Sequence, residues 1–359
     1  MKVILNKILI TTISSFMVGI GFSQTTAPKY SNEFLAIGVG AKNFGMGNSV
    51  ISNVDDVTAG YYNPAGLLKI KKKIQVGLMH SEYFAGIAKY DYIGVSKRLD
   101  DKSVGAISLI RFGTDDIPNT TQLIDKDGNI DYDRITRFSA ADYALLVSYA
   151  RKLPKGLDVG ANFKIIHRRI GDFANSWGFG LDASINYEYK DWKFAGVVRD
   201  VTTTVNAWSY SIDDETREVF NRTGNEIPEN STELTLPRII MGSSRFFKLS
   251  EKFDLNTELN LDVTLDGKRN ALIRSNAFSI APKLGLDLGY KSIVYLRLGL
   301  NNVQLIKQYD GSESLSVSPN LGVGIKFKKF NIDYALSNVG NQTLALYSNV
   351  FSLSFGINK

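Results

Sequence analysis

From Lys73 to its end the chain repeats one pattern, segments of about 10 residues in which apolar and polar side chains alternate. Phe253, Leu255, Leu259, Leu261 and Val263 fall on one face of such a segment, and Asp254, Asn256, Glu258, Asn260 and Asp262 on the other. Trp177, Phe179, Leu181, Ala183, Ile185 and Tyr187 alternate with Gly178, Gly180, Asp182, Ser184, Asn186 and Glu188. A period of two is that of a β-strand, whose successive side chains point to opposite faces. A soluble sandwich can share the period, but it must then turn five consecutive polar side chains of residues 253–263 to water. In a membrane barrel the same polar face lines the lumen and the apolar face meets lipid. About 14 segments qualify, an even number within the range of bacterial barrels. They lie near 73–84, 89–98, 102–113, 140–151, 157–170, 176–189, 192–201, 236–247, 253–264, 277–290, 293–303, 316–328, 330–338 and 347–357. Segments 89–98, 102–113 and 236–247 are too weakly patterned for their faces to be assigned.

The connections sort themselves by length. Short ones occur at 99–101, 153–156, 190–191, 248–252, 291–292 and 329, and longer ones at 114–139, 202–235, 265–276, 304–315 and 339–346. The two sets alternate except at 85–88 and 171–175. Membrane barrels have short periplasmic turns and longer extracellular loops, so the long set is expected to face outside. The sequence thus predicts an all-β fold, a transmembrane antiparallel β-barrel.

Residues 1–23 read as an export signal. Lys2 and Lys7 precede an apolar run from Ile8 to Phe22, and Gly21 and Ser23 supply small residues at the cleavage site. No other stretch has 18 or more continuous apolar residues, so helical spans are not expected. Loss of Lys2 and Lys7 with the leader takes the net charge from +6 to +4, and the basic residues are dispersed, which excludes a nucleic-acid binder. The tract Lys69, Lys71, Lys72, Lys73 reads as a polar turn at the membrane rim or a contact for acidic headgroups. There is no cysteine, hence no disulfide framework and no thiol chemistry. The 17 tyrosines, 20 phenylalanines and 31 glycines suit aromatic girdles and a crowded barrel interior.

Between leader and strands, residues 24–72 are expected to form an N-terminal periplasmic hatch or plug, with 73–359 as the barrel. Glycines there permit tight turns, and Pro64 cannot donate to a β-ladder. Asp55 and Asp56 are placed to cap a short helix beginning near Val57 or to bind lumen cations.

Catalytic chemistry finds no support. The two histidines, His80 and His167, lie on different expected strands, without a Ser-His-Asp spacing, and read as structural or interfacial residues. Asp125, Asp127, Asn129 and Asp131 alternate like part of a calcium loop but lack the downstream glutamate, and a hairpin turn at Asp127-Gly128 explains them as well. No cofactor and no established metal site is expected. Trp208, Tyr210 and Phe220 in 202–235 are either anchors for a protein partner or packing over the barrel mouth. The expected lumen holds Lys164, Asp182, Glu188, Asp254, Glu258, Asp262, Lys283, Asp287, Arg297, Lys326 and Asp333. These mixed charges suit a plugged barrel or a polar pore better than a conduit for fatty acids, which needs an apolar pocket.

One stretch resembles a known family. Phe34-Leu35-x-Ile37-Gly38-x-Gly40-Ala41, Gly45-Met46-Gly47, Asp55-Asp56 and Tyr62-Asn63-Pro64-Ala65-Gly66-Leu67 resemble the N-terminal signature of the PorV/PorQ family of the type IX secretion system of Bacteroidota. That family is similar in architecture to FadL-type fatty-acid transporters, 14-stranded barrels with an N-terminal hatch and an Asn-Pro-Ala element. The runs 115–132 and 171–180 share the resemblance. Lys42 stands where the family commonly has Arg, Asn43-Phe44 replaces a small-Leu pair, Tyr62 replaces a Trp, and the chain continues past Phe355. The resemblance implies an outer-membrane protein that is not an enzyme. It implies a protein that binds the C-terminal sorting domains of cargo on the cell surface, accepts them from the type IX translocon and passes them to the attachment machinery. A FadL-like importer of hydrophobic molecules and a structural barrel subunit without cargo are the competing classes.

Overall fold

The computed structural model describes residues 31–84, 86–124, 128–337 and 348–358. The expected leader, residues 24–30 of the expected hatch and the loop 339–346 lie outside these. Fourteen wall strands follow one another in chain order. They are β1 (Ile74–Tyr83), β2 (Ala88–Arg98), β3 (Ser103–Asn119), β4 (Thr136–Leu153), β5 (Leu157–Ile170) and β6 (Ala174–Tyr189). Then come β7 (Trp192–Arg199 continued by Thr204–Tyr210), β8 (Ser231–Thr235 continued by Arg238–Lys248), β9 (Phe253–Thr264) and β10 (Ser279–Tyr290). The circuit ends with β11 (Val294–Lys307), β12 (Glu313–Phe327), β13 (Phe330–Ser337) and β14 (Ser348–Ile357). Each pairs antiparallel with the next, and β14 pairs with β1, so the sheet closes and has no free edge. A two-residue strand, Ile273–Arg274, adds to β10 inside a loop.

The expected alternation holds. Leu259, Leu284, Leu286, Leu296 and Leu298 face outward, and Asn260, Glu258, Asp262, Asp287 and Arg297 are buried inside. Ile93, Val95, Ile107, Leu109 and Met241 are exposed, which assigns the faces of the three weakly patterned strands. The register also gives the tilt. A row of directly paired residues leaves β8 at Phe247, runs through Leu255, Leu288, Leu296, Val323, Tyr334, Phe351, His80, Asp91, Arg111, Tyr143, His167, Trp177 and Ala207, and returns to β8 at Thr232. The row comes back fifteen residues earlier than it left, as closure of a tilted barrel requires.

The connections differ from expectation in one respect. β3 continues to Asn119 and β4 begins at Thr136, so strand takes up both ends of 114–139; β7 and β8 likewise extend into 202–235 through Thr204–Tyr210 and Ser231–Thr235. The extensions of β3, β4 and β8 are paired to their neighbours but exposed or only half-buried, whereas Thr204–Tyr210 of β7 keeps the alternation, with Thr204, Asn206 and Trp208 buried. The short exceptions near 85–88 and 171–175 are simply short hairpins at the long-loop end. Among loop elements, α3 (Asp214–Thr223) follows two five- and four-residue helices of the N-terminal segment, α1 (Ala41–Gly45) and α2 (Ala59–Tyr62).

Candidate functional site: a lumen filled by the N-terminal segment

Residues 31–72 lie inside the closed wall and touch nearly every strand of it. The segment starts in the loop-side half of the lumen, where Ser31 Oγ donates to Glu233 (3.0 Å) and Asn32 Nδ2 to Thr235 Oγ1 (2.8 Å). It leaves at the turn end, where the Arg98 guanidinium bonds the Ile70 carbonyl (2.6 Å) and the Lys73 N–H bonds the Ile357 carbonyl (2.9 Å). Residues 31–72 of the expected hatch or plug thus run the height of the lumen, held by partners at both ends.

Its sequence explains its shape. Tyr61 and Tyr62 are stacked edge to face (4.8 Å) and act as internal braces. The Tyr61 hydroxyl accepts from the Gly38 N–H and donates to the Leu35 carbonyl (2.6 Å); that of Tyr62 accepts from the Val39 N–H and donates to Asn48 Oδ1 (2.6 Å). Such satisfied polar groups let a loop-rich segment be buried. Asn63 Nδ2 bonds the Ile51 carbonyl (2.6 Å) while its Oδ1 caps the turn at Pro64–Lys69 by accepting from the Ala65 N–H. The Ala65 N–H also reaches Ser184 Oγ on β6 (2.9 Å).

The glycines of the signature and of the wall face one another. Gly45 lies against Gly322 of β12, and Gly47 against Gly299 of β11: a Cβ on Gly299 would come within 2.0 Å of the Gly47 nitrogen. A Cβ on Gly160 of β5 would come within 2.3 Å of the Ala65 nitrogen, beside Pro64. Met46 packs on Gly285, and Gly66 on Val54. The motif residues Gly45, Met46, Gly47, Asn63, Pro64, Ala65 and Gly66 are thus all buried at the contact of segment and wall.

The acidic pair divides its work. Asp55 binds Lys42 of the same segment (2.7 Å), with Asp56 4.0 Å from that ammonium. The Asp55 side chain is itself exposed, and the Lys42 charge beside it holds its carboxyl low, at about 2. Asp56 accepts from the Thr58 N–H (2.9 Å) one residue ahead of α2, close to the expected cap.

The wall supplies matching charges in networks. Lys164 binds Asp182 (2.7 Å) and Asp200; Asp262 holds Arg238 and Lys283 (3.2 Å); Arg297 joins Asp287 (3.0 Å) to Asp333 (2.7 Å). Glu258, fully buried, accepts the Ser52 N–H (2.7 Å). Arg199 donates to the Leu35 and Tyr61 carbonyls (3.2 and 3.1 Å) and lies 4.6 Å over the Tyr61 ring. Glu188 and Lys326 keep the inward parity but are exposed near the strand ends. A second, apolar sector lies toward the loop end, where Tyr83, Tyr90 and Phe112 pack ring to ring with Phe34, Ile110 and Leu146 nearby. Spaces left between segment and wall include a cavity of about 60 Å³ beside Arg199, Asp182 and Arg269, and one of about 30 Å³ beside Lys42 and Asp56.

The remaining sequence candidates fall elsewhere. Trp208 is not an exposed loop residue: it is on β7, faces inward with Thr204 and Asn206, is 6% exposed and lies under the Arg168 guanidinium (4.9 Å). The closed ladder puts it there, so its packing reading is the right one. Tyr210, half-buried, stacks beside it at 6.2 Å, and Phe220 is half-buried on α3. Asp125 and Asp127 lie outside the described residues. Asp131 caps a turn by accepting from the Asp133 N–H, and no cluster of three metal-ligating side chains occurs among the described residues. Gly128 has φ +87° and Ile124 bridges Ile130, in keeping with a hairpin turn. Both histidines face outward, His80 against Asp91 and His167 on the Trp177 ring (4.3 Å). Arg199 and Tyr61, central to the lumen, were not singled out in the sequence, although Tyr61 adjoins the motif.

This architecture has solved counterparts. The CymD monoaromatic hydrocarbon channel is 13% identical with a TM-score of 0.54, over 90% of this chain and 98% of its own. The toluene transporter TbuX of Ralstonia pickettii is 12% identical, TM-score 0.53, over 89% and 98%. A FadL homologue of Pseudomonas aeruginosa is 12% identical, TM-score 0.51, over 89% and 98%. At these identities the likeness is one of fold: a closed antiparallel barrel of FadL type. No family model matches the chain, and no curated protein sequence matches it.

Proposed function

We propose that this chain is a non-enzymatic outer-membrane β-barrel that works by docking proteins at its loop end, as PorV-type proteins do. The observation that carries this is the filled lumen. The segment 31–72 occupies its full height, and two cavities beside it, of about 60 and 30 Å³, fall far short of the roughly 300–1,000 Å³ of a small-molecule site. A barrel stoppered in this way has its rim and its outer wall left for function. The extended β3–β4 and β7–β8 hairpins and α3 supply the rim, which in this reading faces outside the cell. The partners implied by the PorV-type signature are the type IX translocon and the C-terminal sorting domains of its cargo.

A second reading has its own support. The fold is that of proteins described as toluene transporters and hydrocarbon channels, and the lumen has an apolar sector at Tyr83, Tyr90 and Phe112 that Phe34 now fills. A FadL-like importer would need that end of the segment to move. Two measurements side by side separate the readings: co-purification of translocon and cargo from outer membranes, and uptake of toluene and oleate by liposomes holding the purified barrel. Partner recovery without uptake is the expected result. Saturable uptake with no partner recovered would reverse the order.

A further inference from the structure

The turn end of the wall is strongly basic. The stretches that form it, 69–73, 97–102, 151–158, 188–193, 245–254, 290–293 and 326–329, hold nineteen Lys and Arg against seven Asp and Glu. That is a net charge of +12 in a chain whose total is +6, so the remainder carries −6. Each of the six hairpins at this end contributes at least one lysine. Lys152, Lys193 and Lys248 stand opposite Asp158, Glu188 and Asp254 in the ladder, and the count includes those acids. Among the described residues only two ion pairs occur here, Lys69 with Glu188 and Arg245 with Asp191, both at 3.8 Å.

The lysines are set against aromatic rings. Four successive hairpins, from β6 to β13, read Tyr189-Lys190-Asp191-Trp192, Phe247-Lys248 with Lys252-Phe253, Tyr290-Lys291, and Phe327-Lys328-Lys329-Phe330. All of these rings are exposed on the outward face. Lys190, Lys291 and Lys328 lie 5.2, 5.4 and 5.3 Å over Tyr189, Tyr290 and Phe327, and Arg245 lies 5.4 Å over Trp192. In a membrane barrel, outward rings mark the level at which hydrocarbon gives way to headgroups, so these cations end at headgroup depth. Turn geometry does not call for lysine. Lys155, Lys190, Lys291 and Lys328 have φ of +68°, +54°, +51° and +51°, a region that favours Gly or Asn.

We propose that the turn end binds the headgroups of anionic phospholipids in a ring around the wall. The proposal rests on the membrane-barrel reading. Two observations choose lipid over an acidic protein. The cations follow the whole circumference, as a lipid annulus does, whereas a protein docks on one side. They also lie against the outward girdle, at the boundary of the hydrocarbon, on turns too short to project far beyond it. A zwitterionic headgroup brings its own cation, so the excess of basic groups favours headgroups of net negative charge.

The three tryptophans make the test local. Trp192 is in the girdle, Trp177 faces outward toward the loop end of the neighbouring β6, and Trp208 faces the lumen. Full chains that keep only Trp192 or only Trp177, the other two replaced by Phe, are inserted into phosphatidylcholine vesicles. Quenching by brominated phosphatidylglycerol is then compared with quenching by brominated phosphatidylcholine. Trp192 should prefer phosphatidylglycerol by about threefold or more, and Trp177 by less than about 1.5-fold. Lys190→Gln, Lys248→Gln and Lys252→Gln together should remove the preference at Trp192, as should about 0.5 M NaCl. Lys328→Gln with Lys329→Gln, farther round the wall, should leave it in place. Folding of every variant is read from its heat-modifiable migration in detergent gels, and the unsubstituted chain should show the same salt-sensitive preference in its total quenching. No preference at Trp192, an equal preference at Trp177, or a preference that survives both neutralisation and salt overturns the ring. A chain that does not insert into vesicles would instead overturn the barrel reading on which it rests.

Discussion

Gly299 shows how closely segment and wall are fitted. A side chain there must occupy the position of the Gly47 backbone, 2.0 Å from its nitrogen. Backbone cannot rotate aside as a long side chain can, so Gly299→Val should displace the 45–49 turn and cost about 1–3 kcal/mol by overpacking. Gly196→Ala is the control, since its Cβ would meet only Ile185 at 3.4 Å. Urea midpoints in liposomes, with proteolysis of the segment as the local probe, should separate the two; equal midpoints and equal protection would refute close fitting at Gly47. Asp55 makes a prediction in pH. Its carboxyl is lowered from the ordinary 3.8 to about 2 by Lys42. Stability from this pair is therefore complete above pH 3.8 and is lost as pH falls through about 2. Asp55→Asn should flatten that limb of an acid-unfolding profile; an unchanged limb would assign it to other carboxylates. These residues were legible only in part. The Gly and Asn-Pro-Ala elements could be recognised, but the glycines they meet, Gly160 and Gly299, are scattered through strands and have no signal of their own. The motif describes how the lumen is filled.

At the scale of the strand, the alternation held because two different media forced it. In the membrane-barrel reading, lipid outside and a packed lumen inside sort the side chains, and eleven of the fourteen segments showed that alternation, while 89–98, 102–113 and 236–247 were found without their faces. Along the far ends of β3, β4 and β8 the sorting fades, although the ladder continues. Trp208 was placed on a loop, yet Thr204-Val205-Asn206-Ala207-Trp208 alternates in burial as a strand does. The same logic sets two substitutions against each other on neighbouring strands. Leu286→Arg puts a cation on the lipid face of β10 and should cost about 2–4 kcal/mol near the midplane. Arg297→Met, on β11, leaves Asp287 and Asp333 facing each other without their shared cation and should cost about 3–5 kcal/mol. Urea unfolding of both in liposomes tests the assignment. Tolerance of either change would contradict the face given to its strand.

At the scale of the molecule, wall and segment are separable in principle and joined in practice. Every wall strand is paired on both sides without help from residues 31–72, so the hydrogen-bonded cylinder is complete in itself. The segment nevertheless covers Tyr90, Ile110, Leu146 and Ile166 and hydrogen-bonds Glu258, Arg199 and Asn162. Deleting 34–67 should consequently give a barrel that still assembles, still shows heat-modifiable migration, and unfolds at lower urea. Its lumen would be left with charged networks on one side and an aromatic sector on the other, both open to water. Planar-bilayer conductance should rise from near closed to steady open levels, with little ion selectivity because acidic and basic groups line the pore together. Conductance unchanged by the deletion would mean that the loops, and not this segment, seal the barrel. A deletion that abolished assembly would mean that the wall depends on its stopper. Gly299→Val then decides between those outcomes, because it loosens the segment without removing it, and a leak from that variant places the seal at the segment.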